Sequence, residues 1–152
     1  PIQSTQGVLS AARKIEQQVV CEGAVNSTGS AGRLDAVGSR WVDHNRFTLV
    51  ARGLPSGAVG LPLVSTASRA PLPIVGSAGT LCLDGTVGRV NASTFITSFI
   101  GNTGSVDVLL GALPQGSTSV AAVAGDVWYA QVWYRDGSSS SNFTAAIGVE
   151  LR

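Results

Sequence analysis

The order of apolar and polar positions sets the first twenty residues apart from everything that follows. Within 1–20, Val8, Ala12, Ile15 and Val19 fall at helical spacing, and Ala11-Ala12-Arg13-Lys14 favours a helix. The same stretch also reads at period two, through Leu9, Ala11, Arg13, Ile15, Gln17 and Val19, on a face interrupted by Arg13 and Gln17. The helical count is slightly the better over 8–16, and Gln17-Gln18-Val19-Val20 reads as the start of a strand. The segment is therefore an arm whose conformation the pattern leaves open.

From Cys21 onward the pattern is β. Short alternating or continuous apolar runs are separated by clusters of Gly, Pro, Ser, Asn and Asp. The runs predict strands over 33–37, 46–51, 59–65, 81–83, 95–100, 106–110, 127–135 and 145–151. Turn signals lie between them at Gly53-Leu54-Pro55-Ser56-Gly57, Asp84-Gly85, Asn102-Thr103-Gly104, Leu113-Pro114-Gln115-Gly116 and Asp136-Gly137. Strands at this spacing predict an all-β, two-sheet sandwich, Ig-like or jelly-roll-like, spanning 21–152 behind an arm of 1–20. The run 127–135 holds four of the five Trp and Tyr rings, Trp128, Tyr129, Trp133 and Tyr134. Alternation puts Trp128 and Tyr134 on one face and Tyr129 and Trp133 on the other, and both faces are bulky. Such a strand is covered on both sides, or its second face meets another subunit.

Composition changes the picture at the surface. Charged residues are only 12% of the 152, about half the usual share. The exterior must be built from Gly, Ser, Thr and small apolar residues, which oppose association weakly. The net charge is +1, with nine Arg and Lys14 scattered along the chain, so nothing forms the basic stripe that nucleic acid requires. No apolar run reaches the length of a membrane-spanning helix, and the longest, 120–132, is broken by Gly125-Asp126. The chain begins at Pro1 with no initiator Met and no apolar leader, and is read as a processed, exported product. Cys21 and Cys82 are compatible with a disulfide, with a redox pair or with two buried thiols, although their spacing is not C-x-x-C and one His adds little to a metal site. In an exported protein the bridge is the natural reading.

A set of short motifs arrives in fixed order: Asn26-Ser27-Thr28-Gly29, Gly53-Leu54-Pro55, Leu63-Val64-Ser65, Leu81-Cys82-Leu83, Gly88-Arg89, Trp133-Tyr134-Arg135-Asp136 and Ser141-Asn142-Phe143-Thr144. Over about 21–152 this resembles a β-rich domain found, often near the C-terminus, in secreted and surface proteins of planctomycetes and myxobacteria. The resemblance implies an extracellular domain with no assigned catalysis. A cysteine just before Asn-Ser-Thr-Gly is usual there, which supports pairing Cys21 with Cys82.

Chemistry finds little purchase. The one His, His44, sits in Val42-Asp43-His44-Asn45, which reads as a polar turn, and no G-x-S-x-G elbow exists. Most acids fall at turns (Asp43, Asp84, Asp126, Asp136), where they bond local backbone. No metal, cofactor or enzymatic activity is expected. Asn26, Asn91 and Asn142 head sequons and are candidate glycan acceptors. The expected function is a structural subunit of an extracellular or cell-surface filament, a homopolymer. Its arm, through Val8, Leu9, Ile15, Val19 and Val20, completes a neighbour's sheet. The rival is a monomeric adhesive or carbohydrate-binding module, with polysaccharide as partner and Trp41, Tyr129 or Trp133 stacking on sugar rings.

Overall fold

Alternation sends every second side chain of a strand to the same face, so two half-apolar sheets bury those rows against each other. The computed structural model describes residues 13–90, 95–96 and 102–152, and it is all-β with no α-helix among them. One sheet holds β2 (Arg33–Gly38), β3 (Phe47–Arg52) and β9 (Gly104–Asp107), antiparallel in the order β2-β3-β9. The other holds β1 (Gln18–Cys21), β14 (Ala146–Glu150), β12 (Val127–Arg135), β4 (Val59–Ser65) and β7 (Gly88–Arg89) in that order. β13 (Ser141–Phe143) also pairs with β12, and β8 (Phe95–Ile96) with β4. Two hairpins complete the architecture: β5 (Ala67–Pro73) with β6 (Thr80–Asp84), and β10 (Leu113–Gln115) with β11 (Thr118–Val120).

The main core lies between the sheets. Trp128, Ala130, Val132 and Tyr134 of β12, with Ile147 and Val149 of β14, join one cluster with Leu34 and Ala36 of β2 and Leu49 and Ala51 of β3. The opposite row of β12 faces outward, and the β5–β6 hairpin folds over its middle. Leu63, Leu83 and Phe143 form a second buried cluster there, with Trp133 and Tyr129 packed at its margin. The inner face of β12 is thus buried, and its own chain covers the middle of the outer face.

The arm expected over 1–20 needs correction. Residues 1–12, with the predicted donors Val8 and Leu9, lie outside the described residues. Residues 13–20, by contrast, belong to the body of the fold. Gly38 N–H donates to the Arg13 carbonyl at 2.9 Å and Ile15 N–H to the Ala36 carbonyl at 2.8 Å, laddering this stretch onto the edge of β2. The Gln17 side chain then acts as one more peptide group: its Oε1 accepts from Ala36 N–H at 2.8 Å, and its Nε2 donates to Asp35 Oδ1 at 3.1 Å. The chain crosses to the second sheet, where β1 pairs antiparallel with β14. Ile15 is buried in the main core. A single period-two segment therefore closes one edge of each sheet, and residues 13–20 belong to the fold ahead of Cys21.

Other differences are local. The strand expected over 106–110 is β9, which ends at Asp107, after which Val108 N–H still bonds the Phe47 carbonyl. β5 was hidden by Pro71 and Pro73, which an edge strand tolerates because half its N–H groups face away from the ladder. No helix among the described residues is long and apolar enough to cross a membrane.

Candidate functional site

The residues that carried the sequence resemblance turn out to be joints of the fold. Asn26 is buried. Its Oδ1 accepts from Thr28 N–H at 2.9 Å and Thr28 Oγ1 at 2.6 Å, an Asx turn, while its Nδ2 donates to the Gly53 carbonyl at 2.8 Å and Tyr134 Oη at 3.0 Å. Burial, the main cause, pushes the Tyr134 phenol up to about 12; the bond from Asn26 works against this and the nearby Asp136 charge adds to it. Asp136 accepts from Ser27 N–H through both oxygens, at 3.0 and 3.2 Å, so the Asn26 turn is held to the end of β12. Arg135 lies over the Trp133 ring, 5.3 Å from its centroid.

Asn142 is fully buried, and its Nδ2 donates to the carbonyls of Ala24 and Val25 at 3.4 and 3.3 Å. Thr144 Oγ1 accepts from Val132 N–H at 3.0 Å. The candidate glycan acceptors Asn26 and Asn142 are therefore corrected: their amide nitrogens are spent on internal hydrogen bonds and closed to a bulky sugar. Asn91 lies outside the described residues.

Cys21 and Cys82 are bonded to each other, with 6.6 Å between their Cα atoms. The bridge joins edge strand β1 to the β5–β6 hairpin. Gln131 fastens the same hairpin to β12: fully buried, it accepts from Cys82 N–H at 2.9 Å and donates to the carbonyls of Thr80 and Thr144 at 2.9 Å each. Alternation along 127–135 puts Gln131 on the same face as Tyr129 and Trp133. Its one signal was a lone amide inside an apolar strand.

This clamp divides the outer face of β12 in two. On one side Trp133, Leu61, Leu63, Ile74, Leu81 and Phe143 line an apolar groove of about 470 Å³, with Arg89 as its charged member. On the other side Tyr129 and Gly148 border a polar groove of about 190 Å³. The four predicted aromatics thus separate by face, Trp128 and Tyr134 being core and Tyr129 and Trp133 half-exposed.

A third surface lies at the pole where the described chain starts. Arg13 is bonded to Gly38 there, and Val42 N–H donates to the Arg152 carbonyl at 2.7 Å, Gly125 N–H to the Leu151 carbonyl at 2.8 Å and Leu110 N–H to Asn45 Oδ1 at 3.1 Å. These bonds gather loops that expose Trp41 (54%), Leu109 (63%), Val123 (62%) and Val127 (40%). His44 is part of this pole, its Nδ1 hydrogen-bonded to Ser39 Oγ at 2.7 Å and its ring tilted against Trp41. Of the predicted donors, Ile15 is buried in its own subunit, Val20 is half-buried and Val19 is 54% exposed on β1.

Among the described residues no three His, Cys, Asp or Glu side chains converge as a metal site would require. Compared with protein-family models, curated proteins and solved structures, the chain matches none of them.

Proposed function

We propose that this chain is a structural subunit of an extracellular or cell-surface filament or matrix, acting by subunit contact and not by catalysis. The observation that carries the reading is a mismatch between two ends of the fold. Arg13, the first described residue, lies at the Trp41 pole, whereas the apolar Trp133 groove lies near the opposite end of β12. Six residues of extended strand separate Val127 from Trp133, about 20 Å. Such a groove calls for an apolar occupant, and the leading segment offers Val8 and Leu9. An arm leaving one end and docking at the other end of a neighbour is a head-to-tail contact, which grows without closing.

The buried disulfide suits an oxidising compartment, and the low charge leaves little repulsion between copies. The donor role narrows to residues ahead of Arg13. Cys21 is tied to Cys82, so Val19 and Val20, immediately before it, are tethered to their own sheet.

Sedimentation velocity and negative-stain microscopy test the reading. The full chain should form oligomers that lengthen with concentration, and Leu9→Asp or Trp133→Ser should return it to a monomer with an unchanged far-ultraviolet spectrum. A full chain that stays monomeric at millimolar concentration overturns the proposal.

A further inference from the structure

The polar groove beside the hairpin is a site of a different kind, and we infer that it is a subsite for one ring of a neutral polysaccharide. Three antiparallel registers build it. Gln18 of β1 lies opposite Gly148 of β14, Gly148 opposite Tyr129 of β12, and Tyr129 opposite Ser65 of β4. In this row across the outer face, Gly148 has no side chain, and the Tyr129 ring takes the space that one would need. The Tyr129 ring leans over it: a Cβ on Gly148 would lie 2.8 Å from Cε1 and 3.0 Å from Cδ1. On the far side Ser65 is buried, its hydroxyl donating to the Asp84 carbonyl of the hairpin, and the ring packs against the cluster of Leu63, Leu83 and Phe143. The aromatic surface is held in place before any ligand arrives.

Around it stand Gln18, Glu16, Arg40 and Glu150. Arg40 pairs with Glu16 at 3.4 Å at the rim. A half-exposed ring with planar amide, carboxylate and guanidinium groups around it fits one ligand chemistry. A pyranose presents an apolar C–H face to the ring and equatorial hydroxyls, donors and acceptors at once, to the rim. Two carboxylates against one guanidinium disfavour uronic or sulfated sugars, so the polymer is neutral. At about 190 Å³ the groove falls below the roughly 300 Å³ of sites that engulf a whole ligand, as expected of a subsite along a chain laid across the surface. This inference does not depend on assembly, because the groove shares no residue with the apolar Trp133 groove proposed to take the arm.

Affinity electrophoresis in gels containing soluble β-glucan, galactomannan or xylan, with alginate as the acidic control, decides it. The folded chain should be retarded by at least one neutral polymer and not by alginate. Tyr129→Ala should weaken that retardation about tenfold, the loss of one well-placed aromatic contact. Gln18→Ala, an exposed change, should weaken it severalfold and decides the matter if Tyr129→Ala does not fold. Retardation by none of the neutral polymers overturns the inference. So does retardation that survives both substitutions, or retardation abolished by Trp41→Ala alone, which would move binding to the pole.

Discussion

At the scale of single residues, the polar groups of Asn26 and Asn142 act as internal fasteners. Asn26 fills all four hydrogen-bonding positions of its amide from inside the fold, reaching Gly53, Tyr134 and Thr28. Removing a group that leaves several buried partners unpaired costs about 1–3 kcal/mol for each one that water cannot reach. Asn26→Ala should therefore lower stability by about 3 kcal/mol in urea titrations, whereas loss of a mere glycan acceptor would leave it unchanged. Tyr134 gives a pH signature. Its folded-state pKa stands near 12, against 10.0 for an exposed phenol. The raised value means the stabilisation is whole below pH 10 and is lost as pH climbs toward 12, when the buried phenol must ionise. The thermal midpoint should fall across that window, and Tyr134→Phe should flatten the fall at the expense of an unpaired Asn26 N–H. Asn26-Ser27-Thr28 and Asn142-Phe143-Thr144 look like acceptor sequences on paper because the Asn and Thr of an Asx turn or a strand joint share that spelling.

At the scale of elements, β12 and the β5–β6 hairpin form the structural hinge of the outer face. Two fasteners hold the hairpin, the Gln131 amide and the Cys21–Cys82 bridge. Closing a loop of 61 residues' separation contributes about 4 kcal/mol in the chain-entropy account. Reduction with dithiothreitol should lower the unfolding free energy by up to that amount. Gln131→Leu should cost about 3 kcal/mol or more, since Cys82 N–H and the Thr80 and Thr144 carbonyls lose their partner together. Both changes should also expose Trp133 further, visible as a red shift of tryptophan emission. The limits of β12 and β4 were legible because each is an apolar run bounded by turn residues. β5 was not, because its prolines satisfy an edge geometry that becomes apparent only once its one partner, β6, is placed. The β10–β11 hairpin was likewise read as a turn alone, its strands being three residues each.

For the whole molecule, the decisive feature is a leading segment that serves both sheets in succession. Deleting 1–12 should leave the thermal midpoint within a few degrees of the full chain, because it spares the bonds that Arg13 and Ile15 make to β2. Deleting 1–17 removes Ile15 from the core and the Gln17 amide from the β2 edge, and should cost as much as a large core truncation, about 2–5 kcal/mol. Differential scanning calorimetry separates the two. If assembly runs through the leading segment, only the shorter deletion gives a folded monomer.

The sequence by itself determined the class of fold, the course of the long strands and which rings of β12 share a face, because period-two alternation is a local property that burial then obeys. It left Cys21 and Cys82 open among three states, and the resemblance, more than the spacing, favoured their union. What only the tertiary structure decided were the uses of residues whose partners lie far along the chain. Asn26 meets Tyr134 across 108 positions, Gln17 meets the edge of β2, and Gly148 makes room for the Tyr129 ring only because register sets the two opposite each other. No local pattern encodes such pairings, since hydrogen-bond partners and register are set by which strands become neighbours.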